Sequence, residues 1–361
     1  MRILQVAPSY YPELGGVEHH VQAISEALAE QDHNVTVATT VMEKGFPDVE
    51  RMGKVVVKRF RAIGTSAYRI PFGLFRYLKE EGPSFDVIHA HNYGAIPLLL
   101  AVWTNEERTV ITPHYHRRGR SIFAELLHKV YDPFAVPILR RTGKVVCVSA
   151  GEAEEVVRGL RITGERVVVI PNAMRLQQPD RVSFRERRKE SFVLCVGRLD
   201  SYKRVDKAIK ALPHLAKEFT LIVIGEGPEK EKLERLAASY GVQGRVQFMG
   251  RVGDDELHQW YIRSKVVITL SEGEAFGRVV IEALASGCGV VCSDNAAFRD
   301  FSRKFPSNVT LVSKDAKDDA VAKAIESIAK KPLPPVNLHE YTADRVVNRL
   351  LKIYQKVVAE N

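Results

Sequence analysis

An alternation of short apolar strands with amphipathic helices, which occurs twice, limits the fold of this chain most. In the first half, strands such as RILQVAP and FDVIHAH are separated by helical segments, the first with an apolar stripe at Val17, Val21, Ile24 and Leu28. The second half restarts at SFVLCVG and continues through FTLIVIG, KVVITL and GVVCSD. Strands that are apolar on both faces and alternate with helices indicate parallel sheets covered on both sides.

The length of the chain favours two domains, because 361 residues exceed what one typical core contains. The charged stretch 177–191, QQPDRVSFRERRKES, is poor in apolar residues and is the natural linker. We therefore predict an α/β protein with two Rossmann-like, doubly wound parallel-sheet domains, residues 1–172 and 190–335, that face each other across a cleft. Ligands of such sheets bind beyond the carboxyl ends of the strands, so residues that follow strands are the candidates for a site.

The composition argues against a secreted or membrane-spanning protein. The longest apolar stretch, AIPLLLAVW, is about half the length that spans a bilayer, and the N-terminus lacks the pattern of a signal peptide. Cys147, Cys195 and Cys292 lie in apolar runs, which is typical of reduced core thiols, so we expect a cytoplasmic protein. The net charge of +9 predicts an anionic partner, either a phosphorylated metabolite, an acidic membrane surface or nucleic acid. The sequence carries no recognised nucleic-acid reader motif, so we expect no nucleic-acid partner.

Glycine-rich turns follow two of the predicted strands. Gly15 and Gly16 precede the first helix, where N–H groups and the helix dipole can stabilise a phosphate; a simple turn is the alternative. Gly225 and Gly227 lack the third glycine of a dinucleotide-binding loop, so a nicotinamide enzyme is disfavoured.

Two cations, Arg198 and Lys203, directly follow the strand SFVLCVG. An arginine fork beside a lysine point charge suits a diphosphate in a partly dry cleft. Two solvated loop cations are the alternative.

The segment EAFGRVVIE carries one carboxylate at each end. On one helix Glu274 and Glu282 would lie ~12 Å apart along the axis, so we predict a loop at Glu274 and a helix that begins near Gly277. Glu274 could then accept hydrogen bonds from sugar hydroxyls, and the two oxygens of Glu282 match the two hydroxyls of a ribose. A role as a plain surface glutamate is poor for Glu282, because its neighbours in VVIEALA are apolar.

Two His-x-His pairs follow strands, His89 with His91 and His114 with His116. Alternate strand residues share a face, so metal binding has to be considered. No carboxylate or cysteine accompanies them at ligand spacing, and the sequence contains no Asp-x-Asp. We therefore expect no metal and no cofactor, with one histidine in the cleft and the others bonded to backbone groups.

Together these residues resemble the family 4 retaining glycosyltransferases (glycosyl transferases group 1, GT-B fold), which include sucrose synthases and bacterial mannosyltransferases. The resemblance runs from GGVE through VIHAH, TPHYH, VSAGE, VGRLDSYKRVD and IGEGP to EAFGRVVIEALASG and the last helix, and it covers essentially the whole chain. It implies that the C-terminal helix, about 342–361, crosses back onto the first domain.

The resemblance also implies a role for each candidate residue. Arg198 and Lys203 would clamp the diphosphate, Glu274 would hold the transferred sugar and Glu282 the ribose. His114 matches the histidine near the reacting centre, and His116 leaves that choice open. The predicted catalytic residues are His114, Arg198, Lys203 and Glu274, and the predicted donor-binding residues are Gly15, Gly16, Gly225, Phe276, Gly277 and Glu282.

The implied reaction moves a hexose from a nucleotide-diphosphate sugar to an acceptor hydroxyl, with retention and without a required metal. A lipid phosphate, a lipid-linked sugar and a glycan are all candidate acceptors. Two other functions stay open: a sugar-nucleotide 2-epimerase of the same fold, which needs no acceptor, and a non-catalytic nucleotide-sugar-binding subunit.

Basic and aromatic residues are interleaved in YRIPFGLFRYLK, residues 68–79, and cations cluster at 117–120 and at Arg140 and Arg141. Such surfaces can rest on anionic lipid, which would place the protein peripherally on the inner membrane face. Solvated helix faces are the alternative.

Overall fold

The structure, a computed structural model, describes residues 1–13, 15–43, 45–64, 69–115, 122–175 and 189–360, with the backbone alone over 122–130. The chain forms two compact units. The first consists of Met1–Arg175 and His339–Asn361, and the second of Leu176–Leu338.

The first unit is built on one large sheet. Its strands are β1 (Arg2–Val6), β2 (Asn34–Val41), β3 (Val49–Met52), β4 (Val55–Gly64), β5 (Arg69–Pro71), β6 (Val87–His91), β7 (Thr109–Thr112), β8 (Lys144–Cys147) and β9 (Val167–Val169). Its helices are α1 (Gly16–Glu30), α2 (Leu74–Glu81), α3 (Ile96–Thr104), α4 (Ile122–Leu139), α5 (Ala150–Leu160) and α12 (Ala343–Glu360).

The strand order is β3-β4-β2-β1-β6-β7-β8-β9, with β5 also paired to β4. The predicted parallel pairing is confirmed for every neighbouring pair in the order β4-β2-β1-β6-β7-β8-β9. Strands β3 and β5 were not predicted, and both run antiparallel to β4. Their side chains alternate between inside and outside or are half-buried, so they lack the continuous apolar run that identifies a buried strand. Gly53, at φ +60°, makes the tight turn from β3 to β4.

Both faces of this sheet are covered, as alternate residues of β1 illustrate. Ile3 belongs to the core beneath α1 and α12, whereas Leu4 belongs to the core on the other face with residues of α2 and α3. On α12 the buried residues recur every three or four positions, which is the apolar stripe of a helix packed on one side. Helix α12 is therefore part of the core of the first unit.

The second unit contains a smaller sheet that is parallel throughout. Its strands, β10 (Glu190–Val196), β11 (Thr220–Ile224), β12 (Val246–Gly250), β13 (Ser264–Thr269), β14 (Gly289–Ser293) and β15 (Val309–Val312), take the order β12-β11-β10-β13-β14-β15. Its helices are α6 (Val205–Ala211), α7 (Lys230–Ser239), α8 (Asp254–Arg263), α9 (Arg278–Ala285), α10 (Ala296–Lys304) and α11 (Asp318–Lys330). The order reverses at β10 and β13, and a crevice forms at such a point.

The linker predicted at 177–191 lies mostly outside the described residues. Its last two residues, Glu190 and Ser191, belong to β10, so that end of the prediction is wrong. Among the described helices, none combines the length and the apolar composition needed to cross a bilayer.

Candidate active site

Two glycines bring the loops after β10 and β11 together. Gly197 and Gly225 have φ of +144° and +135°, and the N–H of Gly197 donates to the carbonyl of Ile224 at 3.0 Å. A Cβ on Gly225 would lie 1.9 Å from the carbonyl oxygen of Gly197. Gly225 is thus required for backbone packing at the carboxyl edge of the sheet, whatever it binds.

The two predicted diphosphate ligands follow β10 and have different partners. The Arg198 guanidinium pairs with Asp200, with its Nε 3.1 Å from Oδ2, and its side chain is 59% exposed. Lys203 Nζ forms an ion pair with the Glu274 carboxylate, and both side chains are about four-fifths buried. The structure therefore joins two of the predicted catalytic residues, Lys203 and Glu274, directly.

The loop that carries Glu274 leads into α9, which begins at Arg278, next to the predicted start near Gly277. Gly277 is the N-cap at φ +95°, and a Cβ there would meet Phe298 at 2.5 Å. Phe276 is buried, with its ring 5.5 Å from that of Phe301. Packing of this segment against α10 fixes the direction in which the helix begins.

Glu282 lies in the middle of α9, and both of its oxygens have partners. Oε1 accepts from Arg278 Nη2 and Oε2 from the Tyr261 hydroxyl, each at 2.8 Å. Burial and the neighbouring carboxylate hold the pKa of Tyr261 well above its usual range, so its hydroxyl stays a donor. Each carboxylate oxygen retains a second lone pair for a ligand hydroxyl. Arg278 and Tyr261 were not predicted, although the i,i+4 spacing of Arg278 and Glu282 was readable.

In the first unit three histidines converge from separate elements. His91 ends β6, His114 follows β7 and His20 lies on α1, with ring centroids 5.6–5.9 Å apart. His20 and His91 are buried and His114 is half-buried. His20 was not predicted to belong to this group. His116 lies outside the described residues.

Hydrogen bonds define the protonation of the buried pair His89 and His91. His91 Nε2 lies 2.9 Å from the Gln5 amide oxygen and must donate, which leaves Nδ1 as a bare lone pair without a partner among the described residues. His89 bonds Tyr354 and Thr112, each at 2.7 Å. The prediction that these histidines bond backbone groups is therefore wrong, since their partners are side chains. Burial lowers the pKa of His89 to about 3 and that of His91 well below its usual range, so both are neutral.

The nitrogens of His20, His91 and His114 that could bind a metal lie within 4.8 Å of one another. However, His20 Nδ1 accepts the N–H of Ala173 at 3.0 Å, so its Nε2 carries the proton of the neutral ring. A metal-binding histidine donates through its second nitrogen instead of accepting. These bonds do not suit a three-histidine metal site, and among the described residues the group presents an acceptor at Nδ1 of His91.

The start of α1 holds a carboxylate of the chain itself. Gly15 is the N-cap and Gly16 the first helical residue. The Glu18 carboxylate occupies the place where a Cβ of Gly15 would lie, and it accepts from the Ser9 hydroxyl. A ligand phosphate at this helix start would have to compete with Glu18, whereas a sugar hydroxyl could bond to it.

Comparisons with known proteins agree with this organisation. The model of Glycosyltransferase Family 4 matches residues 14–178, and that of Glycosyl transferases group 1 matches residues 177–345. The chain is 24% identical over 392 residues to the gpi3 subunit of phosphatidylinositol N-acetylglucosaminyltransferase from Schizosaccharomyces pombe, covering 99% of this chain and 81% of that protein. It is 28% identical over 319 residues to the phosphatidyl-myo-inositol mannosyltransferase of Mycolicibacterium smegmatis, covering 83% of this chain and 78% of that protein.

Solved structures show the same fold. Sucrose-phosphate synthase from Thermosynechococcus elongatus superposes with a TM-score of 0.78 at 21% identity over all of both chains. HepE from Anabaena, in complex with UDP, superposes with a TM-score of 0.72 at 17% identity, covering 99% of this chain and 100% of that one. The chain belongs to the family 4, group 1 glycosyltransferases and is an enzyme of the GT-B fold.

Proposed function

We propose that this enzyme moves a hexose from a nucleotide-diphosphate sugar to an acceptor hydroxyl with retention at the anomeric carbon and without a required metal. The Lys203–Glu274 ion pair carries the proposal, because it places a fixed cation and a fixed carboxylate together at the carboxyl edge of a parallel sheet. A nucleotide donor is supported by HepE, which was solved with UDP, and by relatives named for transfer of N-acetylglucosamine and mannose.

The second unit would bind the donor through its charged side chains and its backbone. The ammonium group of Lys203, oriented by its ion pair with Glu274, would supply a point charge to the diphosphate oxygens. Arg198 adds a guanidinium fork on an exposed loop. The N–H groups at the start of α9, next to Phe276 and Gly277, would bind sugar hydroxyls or a phosphate. Glu282 would accept the ribose hydroxyls.

Negative charge grows on the leaving diphosphate as the glycosidic bond breaks, and preorganised cations stabilise it. A retaining glycosidase uses one carboxylate as a nucleophile. Here Glu274 is paired with Lys203, and Glu282 is bonded by Arg278 and Tyr261. Both carboxylates would therefore bind donor hydroxyls, and neither would act as a nucleophile. We propose front-face attack, in which the departing phosphate takes the acceptor proton and His114 hydrogen-bonds the sugar.

Acceptor binding involves a surface of the first unit that we call the aromatic patch. It consists of five exposed apolar side chains: Ile63, Ile70, Phe72, Phe75 and Trp103. Ile63 and Ile70 face each other across β4 and β5, and the rings of Phe75 and Trp103 are 5.8 Å apart. The patch therefore extends from the edge of the sheet to helices α2 and α3.

Exposed cations, Arg61, Arg76 and Lys79, lie on the same strand and helix as the patch. Aromatic side chains mixed with cations suit the interface of an anionic bilayer. We propose that the patch rests on such a bilayer and that the acceptor is an anionic lipid or a glycan linked to one. Both relatives cited above are named for phosphatidylinositol-type acceptors, which supports this choice. The predicted basic cluster 117–120 lies outside the described residues. The other predicted cations have partners within the first unit, since Arg140 donates to the Leu160 carbonyl and Arg141 forms an ion pair with Glu106.

Thermal-shift screening against UDP-, GDP- and ADP-sugars tests the donor. A shift with one sugar nucleotide, followed by NMR of the product formed on vesicles of an anionic phospholipid, should show an anomeric carbon with the donor's configuration. Inversion would overturn the retaining mechanism. Conversion of UDP-N-acetylglucosamine alone into an epimer would establish the 2-epimerase instead. The Schizosaccharomyces pombe relative is named as a subunit, so absence of single-turnover radiolabel transfer by a folded, donor-binding protein would establish the non-catalytic alternative.

A further inference from the structure

A buried carboxyl group outside the predicted site connects two loops of the first unit. Glu152, in the first turn of α5, is 2% exposed. Its Oε1 accepts the backbone N–H of Tyr115, and its Oε2 accepts that of Val148, both at 2.5 Å. Tyr115 directly follows His114. The carboxyl group of Glu152 therefore ties the segment after β7 to the segment after β8.

The bonding of Glu152 departs from that of an ordinary helix start. Ser149 is the N-cap of α5, and its hydroxyl accepts the N–H of Glu152 at 3.0 Å, as in a capping box. In a capping box the glutamate would reach back to the N–H of the N-cap residue. Here it reaches Val148 and, across the sheet edge, Tyr115. Capping the helix does not require the bond to Tyr115, so that bond needs another explanation.

The conformation of His114 explains the bond between Glu152 and Tyr115, because the His114 backbone is in the left-handed region at φ +47°. A residue with a Cβ occupies this region at a cost and keeps it only where its surroundings enforce it. The next residue is held at two points by the same helix. Glu152 binds the N–H of Tyr115, and the Tyr115 hydroxyl packs so closely on Gly159 that a Cβ there would lie 2.7 Å away.

We propose that Glu152 is a positioning residue, which holds His114 in its left-handed conformation by anchoring the adjacent amide and so sets where the imidazole meets the transferred sugar. The inference rests on the proposed role of His114 and adds to it a residue that does not touch the substrate. It also explains why a strained histidine is stable beside His20 and His91.

A double-mutant cycle of His114→Ala and Glu152→Gln tests the inference. Glutamine keeps the volume of glutamate but turns an NH2 group towards one of the two backbone N–H groups, so one bond is lost. We expect kcat for nucleoside diphosphate release, with the sugar nucleotide found by thermal-shift screening, to fall about 100-fold in Glu152→Gln with little change in donor KM. The same substitution should have almost no effect on kcat in the His114→Ala background.

Ser149→Ala is the matched control, since it removes the cap bond of the same helix turn and leaves both bonds of Glu152. It should lower Tm and leave kcat near that of the wild type. If Glu152→Gln does not fold, Gly159→Ala, which displaces the Tyr115 ring from the same helix, replaces it in the cycle. Equal losses from Glu152→Gln with and without His114 would overturn the inference alone. Near wild-type activity of His114→Ala would overturn the role of His114 and the inference with it.

Discussion

Lys203 and Glu274 form an ion pair that joins the loop after β10 to the loop before α9, across 71 residues of sequence. Their side chains are only 21% and 20% exposed, so solvent screens the pair less than it screens a surface salt bridge. Each member orients the other before any ligand arrives. A donor would then meet a preformed cation for its diphosphate and a preformed anion for its sugar.

Replacing Glu274 should separate these two functions. We expect Glu274→Ala to lower the rate of transfer at least ~100-fold, because the hydroxyls of the transferred sugar lose the carboxylate that accepts their hydrogen bonds. Binding of the nucleoside diphosphate should be largely kept. Single-turnover transfer and calorimetry with the nucleoside diphosphate measure the two effects. Glu272→Ala is the control, since Glu272 pairs with Arg204 and should leave transfer near the wild-type rate. Loss of nucleotide affinity in Glu274→Ala would show that this role is wrong.

Glu282 should contribute to binding of the nucleoside and not of the phosphates. Glu282→Gln places an amide NH2 group against the Arg278 guanidinium or the Tyr261 hydroxyl and removes an acceptor for ribose. We expect affinity for the nucleoside diphosphate to fall about tenfold, equivalent to ~1.4 kcal/mol, and affinity for inorganic pyrophosphate to stay the same. Calorimetry with both ligands checks this, and an equal loss for the two would contradict the assignment.

Gly225→Ala should destabilise the second unit. The new Cβ would overlap the Gly197 carbonyl oxygen, and the φ of +135° disfavours any side chain. We expect a loss of about 2–3 kcal/mol in the free energy of unfolding, measured by urea denaturation. Gly244→Ala is the matched control, because nothing lies within 4 Å of its Cβ position and its φ is ordinary. Similar unfolding midpoints for the two variants would refute the prediction.

The buried histidines should make the first unit sensitive to acid. The pKa of His89 is lowered to about 3 by burial, and the unfolded chain takes up its proton near 6.5, so the unfolded state binds more protons between these values. Stability is therefore full above about pH 6.5 and falls as the pH drops towards 3. Between pH 6.5 and 5 we expect a loss of ~2 kcal/mol from His89. Urea denaturation across this range measures it, and an equally steep dependence in His89→Gln would exclude His89 as the cause.

The aromatic patch should determine binding to anionic bilayers. We expect Phe72→Ser and Trp103→Ser each to weaken co-sedimentation with phosphatidylglycerol vesicles about tenfold, because each removes apolar area from the interface. Tyr240→Ser removes a similarly exposed aromatic side chain from the second unit and serves as the control. Wild-type binding that does not depend on anionic lipid, or binding that is unchanged in both patch variants, would rule out this surface.

Most of the fold could be predicted because its strands are buried on both faces and appear as uninterrupted apolar runs. The edge strands β3 and β5 gave no such signal. The start of α9 was predictable from the glycine and the flanking carboxylates, because capping is a local property of the sequence.

Partners contributed from distant parts of the chain could not be predicted. His20 bonds Ala173, and His89 bonds Tyr354, across 153 and 265 residues, and no local periodicity reports such contacts. The position of Glu152 at a helix start could have been predicted, since Ser149 and Glu152 have capping-box spacing. Its bond to Tyr115 could not, because that bond depends on how β7 and β8 lie in the sheet. Candidate binding side chains can be identified by residue type, whereas their hydrogen-bond partners depend on the tertiary structure.

Strand β1 and helix α12 meet inside the first unit, where Gln5 and Tyr354 share a hydrogen-bond network across 349 residues. The second unit is one uninterrupted segment, whereas the first unit includes a helix that follows the second unit in the chain. The first unit cannot complete its core until that helix has emerged. A protein truncated before α12 would expose the apolar residues on this face of the sheet that α12 covers beside α1, and chaperones and proteases would recognise that surface.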